Sequence, residues 1–180
     1  MKYFRYVDEW SPIGAGMTYV EVADGGTIRQ ITIAGEDRIS SNICHSRWGI
    51  GLAEGRVDYE SISEVMPITQ SEFESIWQAH LKKHEPEWIA AKNAYPVGIP
   101  VKGYIQIFYP QGVIVNLGRN VLGVADYKAC KSSTSPEFLY TRHIVTAVVS
   151  GYDETNHWIV LDSPQVHNQS VPLGGPEPGQ

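Results

Sequence analysis

Two histidines and one cysteine are the first candidates for metal binding or nucleophilic catalysis, because of their positions relative to neighbouring residues. His80 and His84 are four residues apart, the spacing at which two imidazoles on one helix can share a zinc ion. Because the glutamate of an HExxH motif is missing and two lysines lie between them, we interpret the pair as a solvated helix end. Cys44 precedes His45, but neighbouring strand residues point to opposite faces. We therefore predict no metal site and no catalytic residue.

Carboxylates and glycines are also arranged in ways that resemble catalytic motifs. Asp58, Glu60 and Glu64 could supply an acid and a base, although the polar face of a strand explains their spacing equally well. The sequence contains no GxSxG, no GxxxxGK[ST] and no GxGxxG after a strand. We expect a protein that is not an enzyme and that needs no cofactor.

Composition bounds the class of protein. The chain has 180 residues, of which 42% are apolar, and this is enough to bury a core. Its first ten residues are charged and aromatic, and no stretch approaches the roughly 20 apolar residues that span a bilayer. Two distant cysteines do not form a disulfide framework. These features predict a soluble, cytoplasmic protein that does not bind membranes.

The first half has the alternation of half-buried strands. Residues 2–7, 17–22 and 27–33 alternate between apolar and polar side chains, which predicts an antiparallel meander. Residues 38–43 and 57–65 allow further strands. Thr69 and Glu72 then form a capping box that opens one long helix, whose apolar face contains Phe73, Ile76, Trp77 and Leu81. Pro86 is expected to end this helix, and residues 87–94 allow a second short one.

A break at residues 96–100, which contain two prolines and a glycine, separates this pattern from a second one. Five strand-like segments follow, at residues 101–109, 112–117, 121–127, 143–153 and 157–163, and five is the strand count of an OB barrel. The sequence therefore predicts an α+β domain over residues 1–95 and an all-β five-stranded OB-type barrel over 96–166. Residues 167–180 are rich in proline and glycine and are predicted to be a flexible tail.

Several features of the second half occur in a recognisable order. They are Lys102-Gly103, the glycine-led segment QGVIVNLG at 111–118, the return into VLGVADY at 121–127, and the acidic turn 153–156. Because these features occur in this order, residues 96–166 resemble the S-one type RNA-binding domain, the OB module of a bacterial small-subunit ribosomal protein.

The resemblance implies a binding face but not its usual residues. In that family two aromatic side chains of the second strand stack on bases, a His and an Arg contact the backbone, and an Asp orients the Arg. The corresponding residues here are Gln111, Ile114, Asp126, His157 and Asp153, of which Asp153 alone matches. Since stacking contributes about 1–3 kcal/mol per base, we expect RNA or single-stranded nucleic acid to bind weakly.

Basic and polar residues near the same strands complete the predicted interface. Lys102, Tyr109, Arg119, Lys128 and Lys131 join Gln111, Asp126, Asp153 and His157 as nucleic-acid-binding candidates, with Lys128 to Lys131 in a loop. Four further aromatic residues near these strands are interpreted as barrel core and rim: Phe108, Tyr127, Tyr140 and Trp158.

The first half more loosely resembles small bacterial immunity-protein domains from toxin systems. The matching pieces are Tyr3-Phe4-Arg5, residues 27–33, and the segment EFESIW at 72–77. This resemblance implies the alternative function, an immunity or regulatory protein that binds and neutralises a protein partner such as a toxin. Residues 1–95 carry 9 Lys/Arg against 14 Asp/Glu, a charge that suits a basic partner.

Overall fold

The computed structural model describes residues 1–45, 47–52 and 55–172, and the chain forms two compact units, Met1–His84 and Glu85–Gln180. Within the described residues, each unit contains a five-stranded sheet, and the sheet of the second unit closes into a barrel. The predicted α+β content is confirmed. None of the helices in the described ranges is both long and apolar enough to cross a membrane.

The sheet of the first unit is the predicted antiparallel meander. Its strands are β1 (Lys2–Asp8), β2 (Gly16–Ala23), β3 (Gly26–Ala34), β4 (Asp37–Ser40) and β5 (Met66–Pro67), in the order β4-β3-β2-β1-β5. The prediction of a strand at 57–65 is wrong, because this segment contains a 3-10 turn at Tyr59–Ser61 before the short β5. The turn carries the buried Tyr59 onto one face of the sheet, where it packs with Phe4.

Helix α1 (Gln70–Lys83) covers the opposite face and begins at the predicted capping box. The backbone N–H of Glu72 donates to Thr69 Oγ1 at 3.2 Å, and the Glu72 carboxylate accepts from the Thr69 backbone N–H at 2.9 Å. The helix buries Phe73, Trp77 and Leu81 against the sheet. The segment contains two helices rather than one long helix, and the second, α2 (Glu85–Ala94), is the short helix expected at 87–94.

Over its described residues, 85–172, the second unit is a closed barrel with two α-helices and a 3-10 turn at Pro136–Phe138. After α2 come β6 (Pro100–Tyr109), β7 (Gly112–Asn116), β8 (Leu122–Ala125), α3 (Tyr127–Ser132), β9 (His143–Asp153) and β10 (Trp158–Ser170). The strand order is β10-β8-β7-β6-β9, and pairing of β9 with β10 closes the ring. Strands β8 and β10 run parallel, and the other neighbours are antiparallel.

The unit boundary and the end of the barrel differ from the predicted positions. The boundary falls between residues 84 and 85, whereas the sequence pattern placed it at residue 95. Helix α2 belongs to the second unit because Trp88 and Ala91 lie in the barrel core. Strand β10 continues to Ser170, which pairs with His143, so 167–170 are not part of a tail. The tail prediction for 173–180 lies outside the described residues.

Candidate nucleic-acid interface

The loops of the barrel lie at two opposite ends, which we call the α3 end and the α2 end. At the α3 end the β6–β7 turn lies beside the start of α3. A Cβ atom on Gly112 would come within 2.4 Å of the carbonyl oxygen of Ala125, and its φ is 147°, so glycine is needed for this approach. The α2 end holds the β7–β8 and β9–β10 turns.

Exposed aromatic rings and lysines lie together at the α3 end. The rings of Phe108 and Tyr127 meet edge to face with centroids 6.2 Å apart, and the two residues are 37% and 46% exposed. Lys128 and Lys131 are exposed on α3, and Lys131 follows Tyr127 by one helical turn. We call Phe108, Tyr127, Lys128 and Lys131 the aromatic–lysine patch.

A β-bulge in β6 sets the direction of Phe108. Ile105 pairs with Val115, whereas Ile107 pairs with Ile114, so Gln106 is an extra residue in this strand. An extra residue reverses the alternation of side chains beyond it. As a result Phe108 pairs with the inward-facing Val113 at the end of the barrel and stays partly exposed.

Two positions that were expected to meet a ligand are inaccessible. Ile114, which corresponds to a stacking aromatic in the S-one resemblance, has 0% of its surface exposed. Tyr109 is 7% exposed, and its ring lies 6.1 Å from that of Trp158, which is also buried. Neither residue presents a surface on which a base could stack. Gln111, by contrast, is exposed in the β6–β7 turn.

Asp126 is exposed, but its carboxylate makes a contact within the chain. Its Oδ1 accepts from the backbone N–H of Ala129 at 2.7 Å, and Asp126 is thereby the N-cap of α3. The predicted loop at 128–131 is therefore wrong, because Lys128 and Lys131 belong to this short helix. The cap fixes the direction in which both lysines leave the barrel.

The α2 end holds Arg119, Asp153 and His157. Arg119 is exposed at the tip of the β7–β8 turn, where its φ is 53°. Asp153 shapes the next turn, since its Oδ1 accepts from the backbone N–H groups of Thr155 at 2.9 Å and Asn156 at 3.1 Å. The carboxylate that matches the S-one pattern therefore makes turn contacts rather than orienting an arginine.

His157 is held by Trp88, which is not among the predicted binding residues. Its ring stacks on that of Trp88, with centroids 5.0 Å apart and planes 6° from parallel. Trp88 Nε1 donates to Glu154 at 2.7 Å, and Lys92 Nζ donates to the same carboxylate at 2.9 Å. The hydrogen bond from Trp88 and the interactions with Lys92 lower the pKa of Glu154.

Lys102 lies apart from the aromatic–lysine patch. It pairs with Thr146 of β9, whose Oγ1 hydrogen-bonds to His167 Nε2 at 2.9 Å. Lys102 precedes Phe108 by six residues of one strand, a distance of about 20 Å. The structure thus separates the nine predicted residues into three places: the α3 end with Tyr109, Gln111, Asp126, Lys128 and Lys131, the α2 end with Arg119, Asp153 and His157, and the strand surface at Lys102.

In the first unit, the rings of His80 and His84 pack against each other. His80 is buried, its Nε2 lies 3.0 Å from Asn42 Oδ1, and its ring centroid is 4.9 Å from that of His84. The interpretation of this pair as a solvated helix end is therefore wrong for His80. No group of three or more His, Cys, Asp or Glu side chains within residues 1–45, 47–52 and 55–172 is arranged to hold a metal ion.

Cys130 is expected to be unreactive in the folded protein. It lies in the barrel core, where burial and the nearby Asp126 raise the pKa of its thiol to about 11. Because the thiolate is the reactive form, we expect alkylation of Cys130 at pH 7.5 to be at least ~100-fold slower than in the unfolded chain. Iodoacetamide kinetics with and without guanidinium in a Cys44→Ser variant measure this, and equal rates would contradict it.

Compared with known proteins, the chain matches no protein-family model and no curated protein. The aromatic–lysine patch is the candidate site that the barrel geometry provides.

Proposed function

We propose that the second unit is an OB-type barrel of the S-one kind that binds RNA or single-stranded DNA weakly, as a non-enzymatic adaptor. Five strands in one closed ring, with a parallel third and fifth strand and a helix between the third and fourth, support the OB assignment. The β6–β7 loop of such barrels takes part in oligonucleotide binding, and the aromatic–lysine patch lies at this loop.

The pairing of exposed rings with lysines is the observation that carries the proposal. Every base has a π face, so an exposed ring such as Tyr127 can stack on it whatever the sequence. Lysines beside the ring can neutralise the phosphates of the same strand. Phe108 and Tyr127 take the stacking role that Gln111 and Ile114 do not supply.

Weak binding follows from the small number of basic residues. Residues 85–180 carry 6 Lys/Arg against 8 Asp/Glu, and two of the lysines lie in the patch. Two phosphate contacts on a single strand give a slope of log affinity against log salt of about −1.4. Raising the salt from about 50 to 200 mM should therefore weaken binding roughly sevenfold.

Tyr127→Ala is expected to weaken binding of a fluorescein-labelled single strand by about 5- to 150-fold, the value of one stacking contact of ~1–3 kcal/mol. Fluorescence anisotropy with oligo(U) and oligo(dT) at low salt measures this. Tyr127→Phe is the matched control, because it keeps the ring and removes only the hydroxyl.

Two further results decide the proposal. Lys131→Gln should reduce the salt slope to about −0.7, since one phosphate contact is lost. If wild-type protein binds neither strand at 50 mM salt, or if Tyr127→Ala binds as well as Tyr127→Phe, the nucleic-acid function is overturned.

A protein-binding role of the immunity type is the second candidate, and the exposed apolar residues of the first unit favour it. Trp10 is 91% exposed, Val7 60% and Met66 53%. Tryptophan and methionine are enriched at protein interfaces relative to other surfaces. Trp10→Ser should abolish binding to such a partner and leave anisotropy with oligo(U) unchanged.

A further inference from the structure

A cleft of about 530 Å³ opens on the first unit, on the sheet face opposite α1. This volume lies within the range of small-ligand sites. Its floor is formed by Phe4, Val22 and Tyr59, and its rim carries charged side chains from β1, the β2–β3 turn and residues 56–60.

The floor of the cleft is apolar and fixed. The rings of Phe4 and Tyr59 stack with centroids 5.6 Å apart, and both residues are at most 5% exposed. The Tyr59 hydroxyl lies 2.9 Å from Thr27 Oγ1, so the polar end of this ring has its partner inside the protein. The apolar surface at the bottom of the cleft is therefore small, and these contacts hold it in place.

The rim has two carboxylates available for a ligand. Lys2 Nζ lies 2.5 Å from Glu60 Oε2, so these two charges neutralise one another. Asp24 and Asp58 are exposed, and neither forms an ion pair or a side-chain capping bond in the part of the chain that the structure describes. Residues 1–84 carry 8 Lys/Arg against 12 Asp/Glu, which adds a negative field.

We propose that this cleft binds an organic cation, an ammonium or guanidinium group on an apolar stem, either as a free amine or as a Lys or Arg side chain. The stem packs on Phe4 and Val22, and the charged head reaches Asp24 and Asp58. The site is independent of the nucleic-acid function proposed for the barrel, because its lining residues all belong to the first unit.

Arg56 makes an anionic ligand the competing possibility. Its side chain runs beside the β2–β3 turn, where its Cδ lies 3.9 Å from the position of a Cβ on Gly25. Benzylamine, benzyl alcohol and benzoate share a ring and differ in charge, so they distinguish the two possibilities directly.

The test is a titration of the ¹⁵N-labelled full chain with these three probes, followed by amide shifts. Benzylamine is expected to shift the amides of Gly25, Val57 and Asp58 with a Kd on the order of 10 mM, as befits a small fragment. Asp58→Asn should weaken it about threefold or more. Glu64→Gln is the matched control, since it removes one exposed charge of the same unit away from the cleft.

Acetyl-arginine and acetyl-lysine methylamides form the second arm of the test. Binding of these amides as well as benzylamine assigns the cleft to a side chain of a peptide, and binding of benzylamine alone assigns it to a free amine. The proposal is overturned if benzoate or benzyl alcohol binds as tightly as benzylamine, if Asp58→Asn leaves the Kd unchanged, or if no probe shifts these amides at 50 mM.

Discussion

Arg29→Ala is expected to lower the free energy of unfolding of the first unit by about 3–5 kcal/mol. Arg29 is buried, and its guanidinium donates to the carboxylates of Glu21 and Glu74. Glu21 is itself buried, so removal of the arginine leaves a carboxylate without its counter-charge in an apolar region. Burial alone would lower the pKa of Arg29, but these carboxylates more than compensate and raise it.

Urea denaturation followed by tryptophan fluorescence measures this loss, because Trp77 lies 5.3 Å from the guanidinium. Arg38→Ala is the control, since Arg38 donates to the backbone carbonyl of Glu36 at a surface position and should cost less than about 1 kcal/mol. The double variant Arg29→Met with Glu21→Leu should be more stable than Arg29→Ala, because it buries no unpaired charge. A loss below about 1 kcal/mol for Arg29→Ala would show that the ion pair of Arg29 with Glu21 contributes little to the stability of the unit.

The parts of this unit that follow from the sequence are those with local causes. Thr69 and Glu72 are three residues apart, so their reciprocal hydrogen bonds follow from the order of residues alone. The grouping of Arg29 with Glu21 and Glu74 depends on the register of β2 and β3 and on the docking of α1. Neither the strand register nor the docking of α1 can be predicted from the spacing of residues along the chain.

In the candidate interface, too, features with local causes follow from the sequence, and features that depend on the three-dimensional structure do not. The alternation of apolar and polar residues predicts five strands. The bulge at Gln106 reverses this alternation before Phe108, and the spacing of residues in the sequence does not predict the bulge. The S-one resemblance implies a ligand contact for Asp126. Its actual role as N-cap of α3 is visible only when the chain after β8 is seen to turn into a helix.

Trp88→Ala is expected to lower the free energy of unfolding of the barrel unit by about 3–5 kcal/mol, the usual cost of removing a buried Trp. Trp88 is 5% exposed and lies in the barrel core. Its loss also removes the surface on which His157 stacks and the donor to Glu154. Urea denaturation followed by circular dichroism measures this, and a cost below 1 kcal/mol would mean that α2 is not part of the barrel core.

Trp88→Phe separates packing from hydrogen bonding, because it keeps an aromatic ring and removes Nε1. In the wild type the pKa of Glu154 lies below its ordinary value of 4.5 because of the hydrogen bond from Trp88. A carboxylate with a lowered pKa stabilises the fold above its unfolded pKa, and this contribution disappears as the pH falls through the folded value. Trp88→Phe should therefore raise the pKa of Glu154, measured by carboxyl ¹³C NMR, and reduce the acid-induced loss of stability below about pH 4.5. An unchanged pKa in Trp88→Phe would assign the shift to Lys92, and Lys92→Met would then be the variant that restores the ordinary value.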